Sequence, residues 1–102
     1  MVRYTKVTID LKEGDNNNNS DISVEITTTK KLQSNFKANE LEKILNKFPA
    51  GGYFNQEEET EARIKDYFKN KNFKTKDFQQ VHFVSCYGTD FTKYEIFIKK
   101  IE

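Results

Sequence analysis

The chain is poor in the residues that small proteins most often use for chemistry or for stapling. One cysteine in 102 residues excludes an internal disulfide framework and a cysteine-based zinc finger. There is one histidine, one proline and no tryptophan. The apolar runs are three or four residues long at most, so no segment is long enough to span a bilayer as a helix. The stretch Met1-Val2-Arg3-Tyr4-Thr5-Lys6 lacks the apolar core of a secretory signal. A formal charge of +1 excludes both a uniformly basic nucleic-acid coat protein and a uniformly acidic DNA mimic. These absences lead to the expectation of a soluble, cytoplasmic, single domain over residues 1–102. A chain of this size buries about two-thirds of the surface that its unfolded form exposes, enough to fold without staples.

What is abundant is Lys, Asn, Phe, Glu and Thr. Only 35% of residues are apolar, yet 14% are aromatic, and disordered segments are poor in aromatics. The apolar residues are also patterned. Val7, Ile9 and Leu11 alternate with Lys6, Thr8, Asp10 and Lys12, and Ile22, Val24 and Ile26 alternate with Ser23, Glu25 and Thr27. Period two with β-branched side chains predicts two half-buried strands. The residues between them, 14–21, are turn formers, which predicts a hairpin with a long flexible tip. From Phe36 to Phe48 the period becomes helical through Leu41, Ile44, Leu45 and Phe48, with Ser34 as the expected N-cap and Pro49-Ala50-Gly51-Gly52 as the stop. A second helix is expected from Gln56, capped by Asn55, with Ala62, Ile64, Tyr67 and Phe68 as its apolar stripe. Glu57, Glu58, Glu59 and Glu61 crowd its first turns, and Arg63, Lys65, Lys69 and Lys71 follow, the arrangement favoured by the helix dipole. A polar link over 70–80 then leads to a strand at 81–87, apolar or small on both faces and therefore expected to be covered on both sides. Gly88-Thr89-Asp90 turns the chain into a last strand with Tyr94, Ile96 and Ile98 inward. The order is ββααββ. It predicts an α+β, two-layer domain, with a four-stranded antiparallel sheet and two helices on one face.

No catalytic, cofactor or metal site emerges. His82 and Cys86 share one predicted strand four residues apart, about 13 Å between Cα atoms at 3.3 Å per residue. Proton relay needs contact within about 3 Å, and both groups cannot ligate one metal over that span. The glutamates at 57–61 diverge from one helix turn rather than converge on an ion. The loop Phe48–Phe54 runs into a helix but lacks the spacing of a phosphate loop. An enzyme assembled from distant positions, such as Asp10, Glu25 or Tyr87 with His82, is the residual catalytic alternative.

Binding is left. Tyr53 and Phe54 are large rings on a glycine-flanked loop, the kind of residue that anchors protein interfaces. With Glu57, Glu58 and Glu61 beside them they form the expected partner-binding face of a non-enzymatic inhibitor or adaptor. In format alone, a short, motif-free chain rich in Lys, Asn and Phe looks like phage- or plasmid-borne inhibitors of bacterial defence nucleases. The alternative is single-stranded nucleic acid, bound along 63–78, where lysines interleave with rings as in single-strand grooves. Arg63, Lys69, Lys71, Phe73, Lys74 and Lys76 are the residues that would carry it.

Overall fold

The computed structural model describes residues 3–16, 19–46, 57–86 and 89–101. The elements are β1 (Thr5–Asn16), β2 (Asn19–Thr27), α1 (Lys30–Gln33), α2 (Ala38–Leu45), α3 (Glu57–Asn70), β3 (Phe73–Cys86) and β4 (Thr89–Lys100). The strands form one antiparallel sheet in the order β2-β1-β4-β3. The first and last strands therefore pair with each other at its centre. The α+β, two-layer fold expected from the sequence is the fold observed, with the short α1 added before the two longer helices.

Alternation decides what each strand buries. Val7, Ile9 and Leu11 of β1, Val24 and Ile26 of β2, and Tyr94, Ile96 and Ile98 of β4 are buried on one face. The helices supply the opposite wall of this core. Leu41 and Leu45 stand one turn apart on α2, and Ile64, Tyr67 and Phe68 line one side of α3. Ala62, expected in the same stripe, is exposed. Phe36, in the short connection between α1 and α2, is buried against the rings of Phe68 (5.0 Å between centroids), Phe73 (5.2 Å) and Tyr67 (6.3 Å).

Several boundaries differ from the sequence expectation. The ladder between β1 and β2 runs on through Gly14 opposite Asp21, Asp15 opposite Ser20 and Asn16 opposite Asn19. Most of the expected tip is strand, because main-chain pairing needs no side chain to pack. Helix α2 starts at Ala38 with Lys37 as its N-cap, and Ser34 is instead the C-cap of α1. The segment 73–80, expected as a link, belongs to β3: Phe73 and Thr75 face inward while Lys74 and Lys76 face outward, opposite Lys99 and Phe97. The expected cap Asn55 and the stop at 49–52 lie outside the described residues.

One partly buried polar network ties α3 to the start of α2. The Tyr67 hydroxyl accepts the Lys37 N–H (3.0 Å) and donates to Glu40 Oε1 (2.9 Å), which also receives Lys71 Nζ at 2.9 Å. The hydrogen bonds from Lys71 and Tyr67 hold the Glu40 carboxyl below its usual range. Burial, aided by Glu40, pushes the Tyr67 phenol up to about 12. Tyr67→Phe keeps the ring and strands the Lys37 N–H, so urea unfolding should show a loss of about 1–2 kcal/mol. An unchanged midpoint would mean that water replaces the hydroxyl at no cost.

Candidate binding surfaces

The helices cover one face of the sheet and leave the other open. Cross-strand pairing sets its rows. Glu25, Asp10, Lys93 and His82 form one row across all four strands. Around it lies a shallow depression of about 290 Å³, lined also by Lys12, Ser23 and Phe91. Three of the four residues of the residual catalytic alternative, Asp10, Glu25 and His82, thus share one row, without His82 reaching either carboxylate. His82 and Asp10 are two strands apart, about 10 Å at the usual spacing, with Lys93 between them, and Lys93 Nζ lies 3.9 Å from Asp10 Oδ1. Tyr87 lies outside the described residues. His82 and Cys86 both belong to β3, opposite Lys93 and Thr89 respectively, so the extended spacing that separates them stands. Among the described residues no three His, Cys, Asp or Glu groups gather as a metal site would need.

Of the expected protein-binding face, Tyr53 and Phe54 lie outside the described residues, and Glu57 opens α3. Glu58 is exposed. Glu61 receives Lys65 Nζ at 2.6 Å, and Arg63 lies 3.6 Å from Glu59, both one helical turn apart. Exposed pairs of this kind contribute only about 0.3–0.5 kcal/mol each.

The stretch 63–78 does not form the single groove expected for a nucleic-acid strand. Its rings turn inward: Phe73 is buried beside Phe36, and Phe78 stacks on Tyr94 at 4.8 Å. Phe73 therefore offers no face to a base, a correction that follows from the inward register of β3. Lys71 is committed to Glu40, and Arg63 sits beside Glu59. Lys69, Lys74 and Lys76 instead gather near Tyr4, a residue that sequence reasoning did not single out. Lys76 Nζ lies 4.4 Å and Lys99 Nζ 5.6 Å from the Tyr4 ring centroid. Tyr4 also lines a groove of about 340 Å³, together with Lys65 and Lys69 of α3 and Lys74 of β3.

The two sheet edges are treated differently. Along β2, side chains from the helices satisfy the main chain. Asn46 accepts the Ile22 N–H (2.8 Å) and donates to the Ile22 carbonyl (3.1 Å), Glu42 accepts the Val24 N–H (3.1 Å), and Gln33 donates to the Ile26 carbonyl (2.7 Å) and accepts the Thr28 N–H (2.9 Å). Covering an edge in this way blocks pairing with another chain. Along β3 no such side-chain cover is found among the described residues. Val81, Phe83 and Val84 are between 40% and 44% exposed there, so the expectation of a strand covered on both faces is overturned. The strand lies at the outer edge of the sheet, next to β4. Irregular register between Lys76 and Gln79 and between Gln80 and His82, with Asp77 at φ 54°, is what breaks its simple alternation.

A carboxylate is buried at the hairpin end of the covered face. Glu13 is 6% exposed and lies opposite Asp90; among the described residues its Oε1 has no hydrogen-bond partner, and the nearby buried Thr92 hydroxyl has none either. Burial, helped by the Asp90 charge, pushes the Glu13 carboxyl up to about 7. Nothing in the sequence separates Glu13 from the other carboxylates except its place in the inward phase of β1. No protein-family model, curated protein or solved structure matches the chain.

Proposed function

We propose that the protein is a non-enzymatic interaction module, of the inhibitor or adaptor kind, that takes up an extended segment of a partner protein along the outer edge of β3. The observation that carries this reading is the contrast between the edges: β2 is covered by Asn46, Glu42 and Gln33, whereas β3 is left without comparable cover among the described residues. A strand added to an open edge gains affinity from main-chain hydrogen bonds and specificity from side chains on alternate faces. The segment Val81–Cys86 contains no Lys, Arg, Asp or Glu, so it lacks the edge charges that commonly discourage such pairing. Phe91, opposite Val84 on β4, continues the apolar surface on to the open face.

The test uses a partner captured from the native host and mapped by hydrogen exchange. Amides of 82–86 should slow on complex formation. Val84→Lys should abolish binding while changing stability by no more than about 0.5 kcal/mol, since the site is already exposed. The paired reversal Glu58→Lys with Glu61→Lys should leave binding intact. The opposite pattern, loss on reversing the glutamates and tolerance of Val84→Lys, would move the interface to the start of α3, with Tyr53 and Phe54 as its neighbours.

A further inference from the structure

The surroundings of Tyr4 are distinct from the β3 edge segment 81–86 and have a chemistry of their own. Lys74 and Lys99 stand directly opposite each other across β3 and β4, and like charges in that position destabilise a sheet. No carboxylate among the described residues pairs with Lys69, Lys74, Lys76 or Lys99. This contrasts with the rest of the open face, where Lys6 lies 3.7 Å from Glu95 and Lys93 lies 3.9 Å from Asp10. Four lysines without an ion-pair partner among the described residues thus cluster at one end of the sheet, while Lys12, over the Phe91 ring, stands singly toward the other. The four surround a half-buried aromatic ring and a groove of about 340 Å³, which is in the size range of small-ligand pockets. Among the described residues, Asp66 is the one carboxylate lining the groove.

We propose that this end of the molecule binds single-stranded nucleic acid, with a base stacked on Tyr4 and the flanking phosphates held by Lys69 and Lys74 of the groove and by Lys76 and Lys99 beside the ring. The ring supplies a stacking platform and the lysines a backbone track, the two components of a sequence-tolerant single-strand site. Lys76 now rests over the ring, and its long stem lets it swing to a phosphate as a base takes its place. Phe97, opposite Lys76 on the same open face, offers a second platform for the neighbouring base. A protein partner fits this patch less well, because lysine is depleted at protein interfaces, whereas phosphate neutralisation is a task that lysine performs.

The test is fluorescence anisotropy with labelled oligothymidylate and oligouridylate, repeated across a salt series. Four phosphate contacts predict a log–log salt slope of about −3 for a single strand. Lys74→Gln combined with Lys76→Gln should flatten that slope by about 1.4. Tyr4→Leu should weaken binding about tenfold and leave the slope unchanged. Circular dichroism melts confirm that each variant is folded, and Lys99→Gln, half-buried on β4 opposite Lys74, serves as the conservative second probe of the same site. Absence of binding by the folded wild type at about 50 mM salt would overturn the proposal. So would binding that is indifferent to Tyr4→Leu and fully displaced by heparin, the behaviour of a general polyanion surface. Val84→Lys should have no effect on these titrations.

Discussion

Glu13→Gln should make the protein more stable at pH 8 by about 3 kcal/mol and nearly neutral at pH 4. Glu13 is buried on the covered face, opposite Asp90, with one carboxyl oxygen unpartnered among the described residues. Its ionisation moves from an ordinary 4.5 to about 7 in the folded chain. Below pH 4.5 the group is protonated whether the chain is folded or not, and it contributes no pH dependence. Between 4.5 and 7 the unfolded chain releases the proton while the folded chain keeps it. The folded state then binds more protons, so stability falls as pH rises. Above 7 the loss is complete, at about 1.4 kcal/mol for each pKa unit. Glutamine keeps the shape without the titration. Urea melts of the two proteins at pH 4, 6 and 8 should therefore diverge steadily. Parallel curves would show that Glu13 ionises as freely in the folded protein as in the unfolded chain.

Phe36→Ala should cost about 3–5 kcal/mol, a large share of the roughly 5–15 kcal/mol by which native domains are stable. Phe36 lies in the connection between α1 and α2, yet it is 5% exposed and reaches rings from α3 and from the first residue of β3. Tilted and edge-on aromatic contacts add about 0.5–1.5 kcal/mol each beyond the area they bury. Removing the ring opens a cavity between α3 and the sheet that rigid neighbours cannot close. Phe36→Leu, which refills most of the volume, should recover about half of the loss. A Phe36→Ala protein with a wild-type denaturation midpoint would mean that the ring cluster adds nothing to packing.

The sheet and helices were legible because their apolar residues keep a regular phase. Val7, Ile9 and Leu11 could only face one way in a strand, and Leu41 with Leu45 could only line one side of a helix. The edges were not legible. Nothing in Val81–Cys86 distinguishes a strand buried on both faces from a half-exposed outer strand, because both read as apolar without alternation. The bulges near Asp77 erase the alternation that would have helped. The binding candidates divided for a similar reason. Lysine and phenylalanine alternate through 63–78 in the sequence, but the turn at Asn72 and the start of β3 send Phe73 inward and Lys74 outward, toward a tyrosine seventy positions earlier. Tyr4 gains its meaning only from the pairing of β1 with β4, where Thr5 stands opposite Ile98.

That pairing also governs how the molecule comes into being on the ribosome. The hairpin of β1 and β2 emerges early, but its inner flank has no neighbour until β4 has been translated, nearly the whole length of the chain later. Completion of the sheet must therefore wait until after synthesis of its last strand, and contacts of such long range are slow to form. During that interval the inner flank of the hairpin is an unpaired strand edge, the kind of transient exposure that makes late-closing sheets prone to aggregate.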